Sequence, residues 1–164
     1  MQRLKVVSNS SPLIHLSRIG RLYLLQELFN EVIIPCAVYK EVVEEGMGQP
    51  GALEVKNAPW IKVLPIKNKS MKTLLMTFLD EGEAEAIILA LETGAELLLI
   101  DEREGRQHAK KLGLRVAGTV GILLKAKRIG LISSVKNDIE KLKDAGFRIS
   151  KDVENEILRR AGEL

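Results

Sequence analysis

Residues 82–101, GEAEAIILALETGAELLLID, decide the fold of this 164-residue chain. The first part is apolar nearly all round between Ala84 and Leu91, which predicts a buried helix over residues 80–93. The second part, ELLLI at residues 96–100, is a continuous apolar strand that stops at Asp101. A strand that is apolar on both faces and lies beside a buried helix indicates a parallel sheet that helices cover on two sides.

The same alternation of strand and helix extends in both directions from this stretch. The fold class is therefore α/β, a three-layer α/β/α arrangement with a central parallel sheet of four to five strands, and we expect this domain to occupy residues 1–130. Short apolar runs predict further strands at residues 4–8, 31–34, 61–66 and 114–117, and capping and spacing signals predict helices at 13–18, 22–29, 35–45, 52–57, 70–78, 102–112 and 119–128.

Residues 131–164 predict a C-terminal helical extension that packs on the same domain. Two amphipathic helices, separated at Gly146, carry apolar residues at helical spacing. Their stripes suggest a surface for self-association or for docking a partner protein. The apolar positions are Val135, Ile139 and Leu142 in the first helix, and Val153, Ile157 and Ala161 in the second.

Composition places the chain among soluble cytoplasmic proteins. It is 46% hydrophobic and 29% charged, which suits one folded domain with a sizeable core. The lone Cys36 cannot form an internal disulfide and indicates a reducing compartment. Residues 1–5 lead directly into a strand without the apolar core of a secretion signal, and no apolar run is long enough for a bilayer.

Charge is unevenly distributed along the chain. Residues 1–102 carry 10 Lys or Arg and 14 Asp or Glu, whereas residues 103–164 carry 15 and 8. Aromatic residues make up only 4% of the chain and none lies among the basic residues of 103–128, which argues against a base-stacking platform. Any contact with nucleic acid would therefore be made mostly to phosphates.

Polar residues follow two of the predicted strands, at the edge where open parallel sheets bind ligands. Asn9 follows the first strand, and Asp101 and Glu102 follow the ELLLI strand. Glu83 opens the buried helix, and Glu41 lies beside an apolar stripe of the helix at 35–45. Converging carboxylates repel one another unless a hard divalent cation neutralises them, which favours Mg²⁺ or Mn²⁺. Two His and one Cys without zinc-type spacing disfavour a softer metal.

The order and spacing of these residues resemble the PIN domain family, whose members are mostly metal-dependent ribonucleases and include the toxins of toxin–antitoxin pairs. The segment SNSSPLI at 8–14 resembles the opening motif of the family, with Asn where Asp is common. GEAEAI, LLLIDEREGR and AGTVGILLKAKRIGLI are similar to an archaeal and bacterial subgroup of the family. The resemblance covers about residues 4–130. Glu83 lies 18 residues before Asp101, as in many members of the family, and the matching positions are Asn9, Glu41, Glu83, Asp101 and an auxiliary Glu102.

This resemblance implies Mg²⁺- or Mn²⁺-dependent hydrolysis of single-stranded RNA by in-line attack that leaves a 5′-phosphate. It makes Glu41, Glu83 and Asp101 the catalytic acids, with Asn9 and Glu102 as additional metal ligands. Arg103, Arg106, Lys110 and Thr119 are the expected RNA contacts. The expected partners are RNA, an antitoxin protein and a second copy of the chain in a homodimer, with no membrane.

Asn9 leaves the activity open, because it keeps an oxygen ligand but removes one negative charge. The chain is then a nuclease with a weaker site, a nuclease that needs more metal or manganese, or a module that binds RNA or protein without cutting. On this reasoning Asn9→Asp raises metal affinity or activity, and Asp101→Asn abolishes cleavage. A receiver-like signalling domain with Asp101 as phosphoacceptor is less favoured, because Asn9 and Ser10 stand where receivers carry paired acids.

Each candidate also has a plainer structural interpretation. Asn9 would cap the first helix or form an Asx-turn, and Glu83 would complete a capping box with Asp80. Asp101 would cap the helix that follows it, and Glu41 would turn to solvent. The basic face of the 102–112 helix would simply be solvated.

Overall fold

A computed structural model describes residues 4–164, and its core is one parallel five-stranded sheet. The strands are β1 Val6–Ser8, β2 Val32–Pro35, β3 Ile61–Leu64, β4 Leu97–Leu99 and β5 Val116–Ala117, in the order β3-β2-β1-β4-β5. The predicted parallel sheet between helical layers is confirmed. The expectation about a secretion signal rests partly on residues 1–3, which lie outside the described residues.

The helices connect and cover these strands. Helix α3 continues into a π-helical segment, Lys40–Glu44, where the sequence predicts regular helix. The helices are α1 Ser10–Arg18, α2 Tyr23–Phe29, α3 Cys36–Tyr39, α4 Ala52–Lys56, α5 Lys69–Leu75, α6 Glu81–Thr93, α7 Arg103–Lys111, α8 Thr119–Arg128, α9 Val135–Asp144 and α10 Lys151–Ala161.

The strands are apolar on both faces because the sheet has a hydrophobic core on each side. Val6 of β1 belongs to the core formed with α1, α2, α8 and α9, whereas its neighbour Val7 belongs to the core formed with α6. Leu99 and Leu98 of β4 divide between the two cores in the same way. This alternation is the period of two that a strand imposes on its side chains.

Helix α6 is buried from Gly82 to Ala90, as its apolar surround predicts. It begins with a capping box between Asp80 and Glu83 and ends at Gly94, whose φ of 66° is left-handed. The helix packs on β1, β2 and β4 and also meets α3, α5 and α7. It therefore fixes the position of its first turn, which carries Glu83, against the edge of the sheet.

The C-terminal helices pack on the same core. Val135, Ile139 and Leu142 of α9 are fully buried, so their stripe is covered by the domain itself and offers no docking surface. In α10 the predicted stripe is wrong at Val153, which is 49% exposed, because Leu158 and Glu154 face inward instead. Leu158 packs into the core, and on the same face of α10 the carboxylate of Glu154 pairs with Lys143 of α9 at 3.1 Å. Among the described residues, no helix is long and apolar enough to cross a membrane.

Candidate active site

The carboxyl ends of three neighbouring strands meet at one edge of the sheet. Asn9 follows β1, Asp101 and Glu102 come shortly after β4, and Thr119 follows β5. The Asn9 backbone N–H donates to the Leu99 carbonyl at 2.9 Å, which extends the β1–β4 ladder to the edge. Topology therefore brings these predicted residues together, although the sequence separates the first from the last by more than one hundred positions.

Asn9 is 3% exposed, and its amide is oriented by a neighbouring carboxylate. Its Nδ2 donates to Glu102 Oε1 at 2.9 Å, and the Ser11 hydroxyl donates to Glu102 Oε2. Asn9 makes no side-chain capping bond to α1, so the cap interpretation is wrong. Its Oδ1 is buried and has no hydrogen-bond partner among the described residues. A buried carbonyl oxygen without a partner is costly, and its presence points to a group that would satisfy it.

Glu41 approaches the same place from the π-helical segment. Its Oε1 accepts a hydrogen bond from the Ser10 hydroxyl. A Cβ atom added to Gly82 would lie 3.3 Å from Glu41 Oε1 and 3.4 Å from Asn9 Oδ1. Gly82 thus leaves the space in which these two oxygens face the first turn of α6. π-helical turns occur frequently at functional sites, and this one carries the Glu41 side chain.

Glu83 is 7% exposed and has few donors. Its Oε1 accepts from the Asp80 N–H at 3.0 Å, so the predicted capping box is present. Burial raises the pKa of Glu83 to about 7, and the nearby carboxylates of Asp80 and Glu102 contribute to the increase. Its Oε2 lies 3.2 Å from the place of a Cβ on Gly105. The capping role uses one oxygen and leaves the other available.

Asp101 links β4 to α8. Its Oδ1 accepts from the Thr119 N–H and its Oδ2 from the Thr119 hydroxyl, both at 2.7 Å. It therefore caps α8 rather than the helix that follows it. Thr119 is fully buried with both donors used, which assigns it to holding Asp101 and not to touching a strand of RNA. A Cβ on Gly118 would lie 2.7 Å from Asp101 Oδ1, so only glycine fits there without displacement.

The predicted basic residues follow the site along α7. Arg103 is exposed in the first turn, and Arg106 donates from Nη1 to the Ile100 carbonyl at 3.2 Å. Lys110 is exposed about 10 Å further along the helix axis than Arg103. Within residues 4–164 none of these three takes part in an ion pair. They form one unpaired cationic strip that begins beside Asp101.

Two other polar residues near the site have structural roles. Glu85 is buried, accepts from the Ala37 N–H at 3.0 Å and pairs with Lys72 at 2.7 Å, which joins α6 to α3 and α5. His15 packs edge-on against Phe147, with ring centroids 4.9 Å apart. Burial, with a further contribution from Arg18, lowers the pKa of His15 more than the nearby Asp101 and Glu102 raise it.

Sequence reasoning missed the residues that hold the acids in place. Ser10 and Ser11 each donate to a carboxylate more than thirty positions away, and three glycines provide the space beside the acids. The segment SNSS at residues 8–11 gives a weak indication of this role, because each of its side chains is small and can form hydrogen bonds. Their partners could be known only once the sheet order was fixed. The three glycines are Gly82, Gly105 and Gly118.

The donor set fits a hard divalent cation, which the resemblance implies. Within residues 4–164 no three His, Cys, Asp or Glu side chains lie close enough together to hold an ion by themselves. An oxygen outside that set, Asn9 Oδ1, is buried without a partner and lies near Glu41 Oε1 across the space left by Gly82. Every candidate ligand offers oxygen, the atom that Mg²⁺ and Mn²⁺ prefer.

Comparisons with known proteins agree with this architecture. A family profile described as a PIN domain matches residues 5–163, and no curated protein matches the chain. Among solved structures, a PilT N-terminus domain protein from the hyperthermophilic archaeon Sulfolobus solfataricus superposes with a TM-score of 0.56 at 21% sequence identity. The superposition covers 75% of this chain and 93% of that chain, and it supports the fold alone. Since the profile match spans nearly the whole sequence, the chain belongs to the PIN domain family.

Proposed function

We propose that the chain is a divalent-cation-dependent ribonuclease that hydrolyses single-stranded RNA at the carboxyl edge of its sheet. Proteins of the PIN domain family are generally nucleases, and the match leaves no support for a receiver-like role of Asp101 as phosphoacceptor. The observation that carries the proposal is the buried, unpartnered Oδ1 of Asn9 beside the Glu41 carboxylate. An oxygen pair in this environment favours a cation more than it favours a neutral ligand.

Asn9, Glu41, Glu83 and Asp101 are the residues that would hold Mg²⁺ or Mn²⁺, and since no three acids among the described residues lie within reach of one ion, water would complete the set of ligands. When bound, the cation lowers the pKa of a water and offsets charge on the phosphodiester that is cut. Thr119 holds the Asp101 carboxylate in one orientation through two hydrogen bonds of 2.7 Å. Ser10 does the same for Glu41. These contacts preorganise the carboxylates, which reduces the rearrangement needed during the reaction.

The strip of Arg103, Arg106 and Lys110 would hold the phosphates of the strand. Arg106 is tied to the Ile100 carbonyl, so its guanidinium stays close to Asp101. Arg103 and Lys110 are exposed and unpaired within the described residues, which leaves their charges free for phosphates. Contacts of this kind bind RNA with little base preference and weaken as salt increases.

An RNA pool incubated with the purified protein in Mg²⁺, Mn²⁺ or EDTA tests the proposal. We expect products with 5′-phosphates in either metal, none in EDTA, and none with Asp101→Asn. Glu104→Gln is a matched control, because it removes an exposed carboxylate from the same segment without touching the site. RNA that is bound but not cut in any metal would favour the alternative of a binding module.

A toxin role, an antitoxin partner and a homodimer are further parts of the proposal. Expression in a bacterial host would arrest growth with the unmodified chain and not with Asp101→Asn if cleavage is toxic. For the homodimer, two apolar side chains of α10, the exposed Val153 and the half-buried Ile157, line a shallow cavity of about 310 Å³. Light scattering that gives a monomer at high concentration would contradict the homodimer.

A further inference from the structure

We propose that Asn9 and Glu102 act as a matched pair, in which Glu102 supplies the charge missing at position 9 and holds the Asn9 amide so that Oδ1 faces the cation-binding residues. Glu102 is thus a positioning residue. This inference rests on the proposed function for the identity of the ligand, a divalent cation. The pairing itself rests only on the hydrogen bonds around residue 9.

The geometry leaves the Asn9 amide one orientation. An ionised carboxylate only accepts hydrogen bonds, and Glu102 Oε1 lies 2.9 Å from the Asn9 side chain. The amide nitrogen must therefore face Glu102, because the reverse orientation would bring two acceptor oxygens together. The Ser11 hydroxyl donates to the second oxygen of Glu102, so the carboxylate is itself held in place. The remaining atom of the amide, Oδ1, is directed away from Glu102 and is left without a partner.

The same contact predicts that Asn9→Asp destabilises the metal-free protein. An aspartate at this position would place a carboxylate oxygen against Glu102 Oε1 at hydrogen-bond distance with no proton between them. Restoring the acid that is common in the family therefore creates repulsion in this chain. The charge is already present one side chain away, on Glu102.

Exchanging the two groups keeps both the charge and the hydrogen bonds. In the double variant Asn9→Asp with Glu102→Gln, the new amide nitrogen at position 102 can donate to the new carboxylate at position 9, while the new amide oxygen accepts from Ser11. The net charge of the site is the same as in the unmodified protein. If the contact had only a structural role, the exchange would restore stability alone. The proposed pairing predicts that the exchange restores both stability and cation affinity.

The experiment measures Mn²⁺ binding by calorimetry, and thermal unfolding in EDTA, for the unmodified chain, both single variants and the double variant at pH 8. We expect Asn9→Asp to lower the unfolding temperature in EDTA, because two carboxylates then face each other at hydrogen-bond distance with no cation between them. Glu102→Gln should weaken Mn²⁺ binding at least tenfold with little effect on unfolding. The double variant should return to within threefold of the unmodified chain, and Glu104→Gln should match the unmodified chain throughout.

The outcomes separate this inference from the proposed function. An unfolding temperature of Asn9→Asp in EDTA at or above that of the unmodified chain, or additive effects of the two substitutions, would overturn the pairing even if RNA is cut. Rescue of unfolding by the double variant, in a chain that neither binds Mn²⁺ nor cuts RNA, would support the pairing and contradict the ribonuclease.

Discussion

Two glutamates, Glu83 at the carboxyl edge of the sheet and Glu163 near the C-terminus, occupy opposite environments. Glu83 is buried and accepts one hydrogen bond, from the Asp80 N–H, and burial raises its pKa to about 7. Burial alone would also raise the pKa of Glu163, but its hydrogen bonds lower it to about 2. The donors to Glu163 are Lys127 Nζ at 3.0 Å, the Ser134 hydroxyl at 2.8 Å, and the Val135 and Lys136 N–H groups at 2.7 and 3.1 Å.

The difference separates a structural acid, Glu163, from the one that we propose to be functional, Glu83. The Glu163 carboxylate is saturated by donors and fastens the end of the chain to the start of α9. Among the described residues, Glu83 accepts a hydrogen bond from one donor, and Asn9 Oδ1 accepts none. A buried oxygen without a partner, Asn9 Oδ1, near carboxylates with few donors indicates a place where a ligand completes the set.

The largest expected effect is the loss of RNA cleavage when Glu83 is neutralised, compared with neutralising Glu163. Glu83→Gln should reduce RNA cleavage at least about 100-fold, because a positioned carboxylate ligand is lost while the amide oxygen can still accept from Asp80. Glu163→Gln should change cleavage less than about threefold and should lower stability by roughly 1–3 kcal/mol, because its donors lose a charged acceptor. Initial rates and urea unfolding measure both. Equal losses of activity in the two variants would contradict the comparison.

A second prediction concerns the glycines beside Asp101. Gly118→Ala should lower stability by about 1–3 kcal/mol and weaken cleavage, because the new Cβ would lie 2.7 Å from Asp101 Oδ1 and 2.8 Å from Arg106 Nη1. Gly121→Ala is the matched control in α8. Its nearest neighbour would be Ala117 Cβ at 4.0 Å, and replacing a helical glycine should be neutral or stabilise by about 0.5–1 kcal/mol. A tolerated Gly118→Ala would show that the site does not need this close approach.

The third prediction is that the two glutamates give pH dependences of opposite sign in metal-free protein. Glu83 has a raised pKa in the folded state, so its contribution is present below about pH 4.5 and is lost as pH rises through about 7. Glu163 has a lowered pKa, so its contribution is present above about pH 4.5 and is lost as pH falls toward about 2.

Urea unfolding in EDTA between pH 2.5 and 8 measures the two dependences. Glu83→Gln should flatten the decline in unfolding free energy between pH 4.5 and 7, and Glu163→Gln should flatten the decline on the acid side. If both substitutions flattened the same side of the curve of unfolding free energy against pH, the two glutamates would have similar environments and the prediction would be contradicted.

The smallest expected effect is on RNA binding away from the acids. Lys110→Ala should reduce the slope of log affinity against log salt by about 0.7, as expected for one lost phosphate contact to a single strand. Lys141→Ala on α9 is the control, since it removes an exposed lysine from another surface. Anisotropy of a labelled RNA in EDTA measures binding without cleavage. Identical slopes for the two variants would show that the RNA does not contact Lys110.

Much of the fold could be predicted from sequence because its signals are local. The continuous apolar run of β4, the capped and buried α6 and the extent of α8 were all indicated by residues close to one another. The π-helical turn at Glu41 could not be predicted, because its residues have ordinary helical character. The prediction of a buried Val153 is wrong because tertiary contacts decide how α10 is rotated, with Leu158 in the core and Glu154 paired with Lys143.

The residues of the candidate site could be predicted as a group, but the hydrogen bonds between them could not. The ends of parallel strands meet at one edge, so Asn9, Asp101 and Glu102 could be grouped before the structure was known. Their hydrogen bonds could not, because the pairing of Asn9 with Glu102 depends on β1 lying beside β4. That pairing adds an expected loss of metal-free stability to Asn9→Asp, which the sequence alone does not predict.

Calorimetric titration of the metal-free chain with Mn²⁺ at pH 7.5 tests the central claim most directly, namely that Asn9 Oδ1 and the carboxylates at the carboxyl edge of the sheet form a cation site. We predict saturable binding in the unmodified chain and in Glu163→Gln, with affinity at least tenfold weaker in Glu83→Gln. Absence of saturable Mn²⁺ binding in the unmodified chain, or equal affinity in all three proteins, would contradict the account.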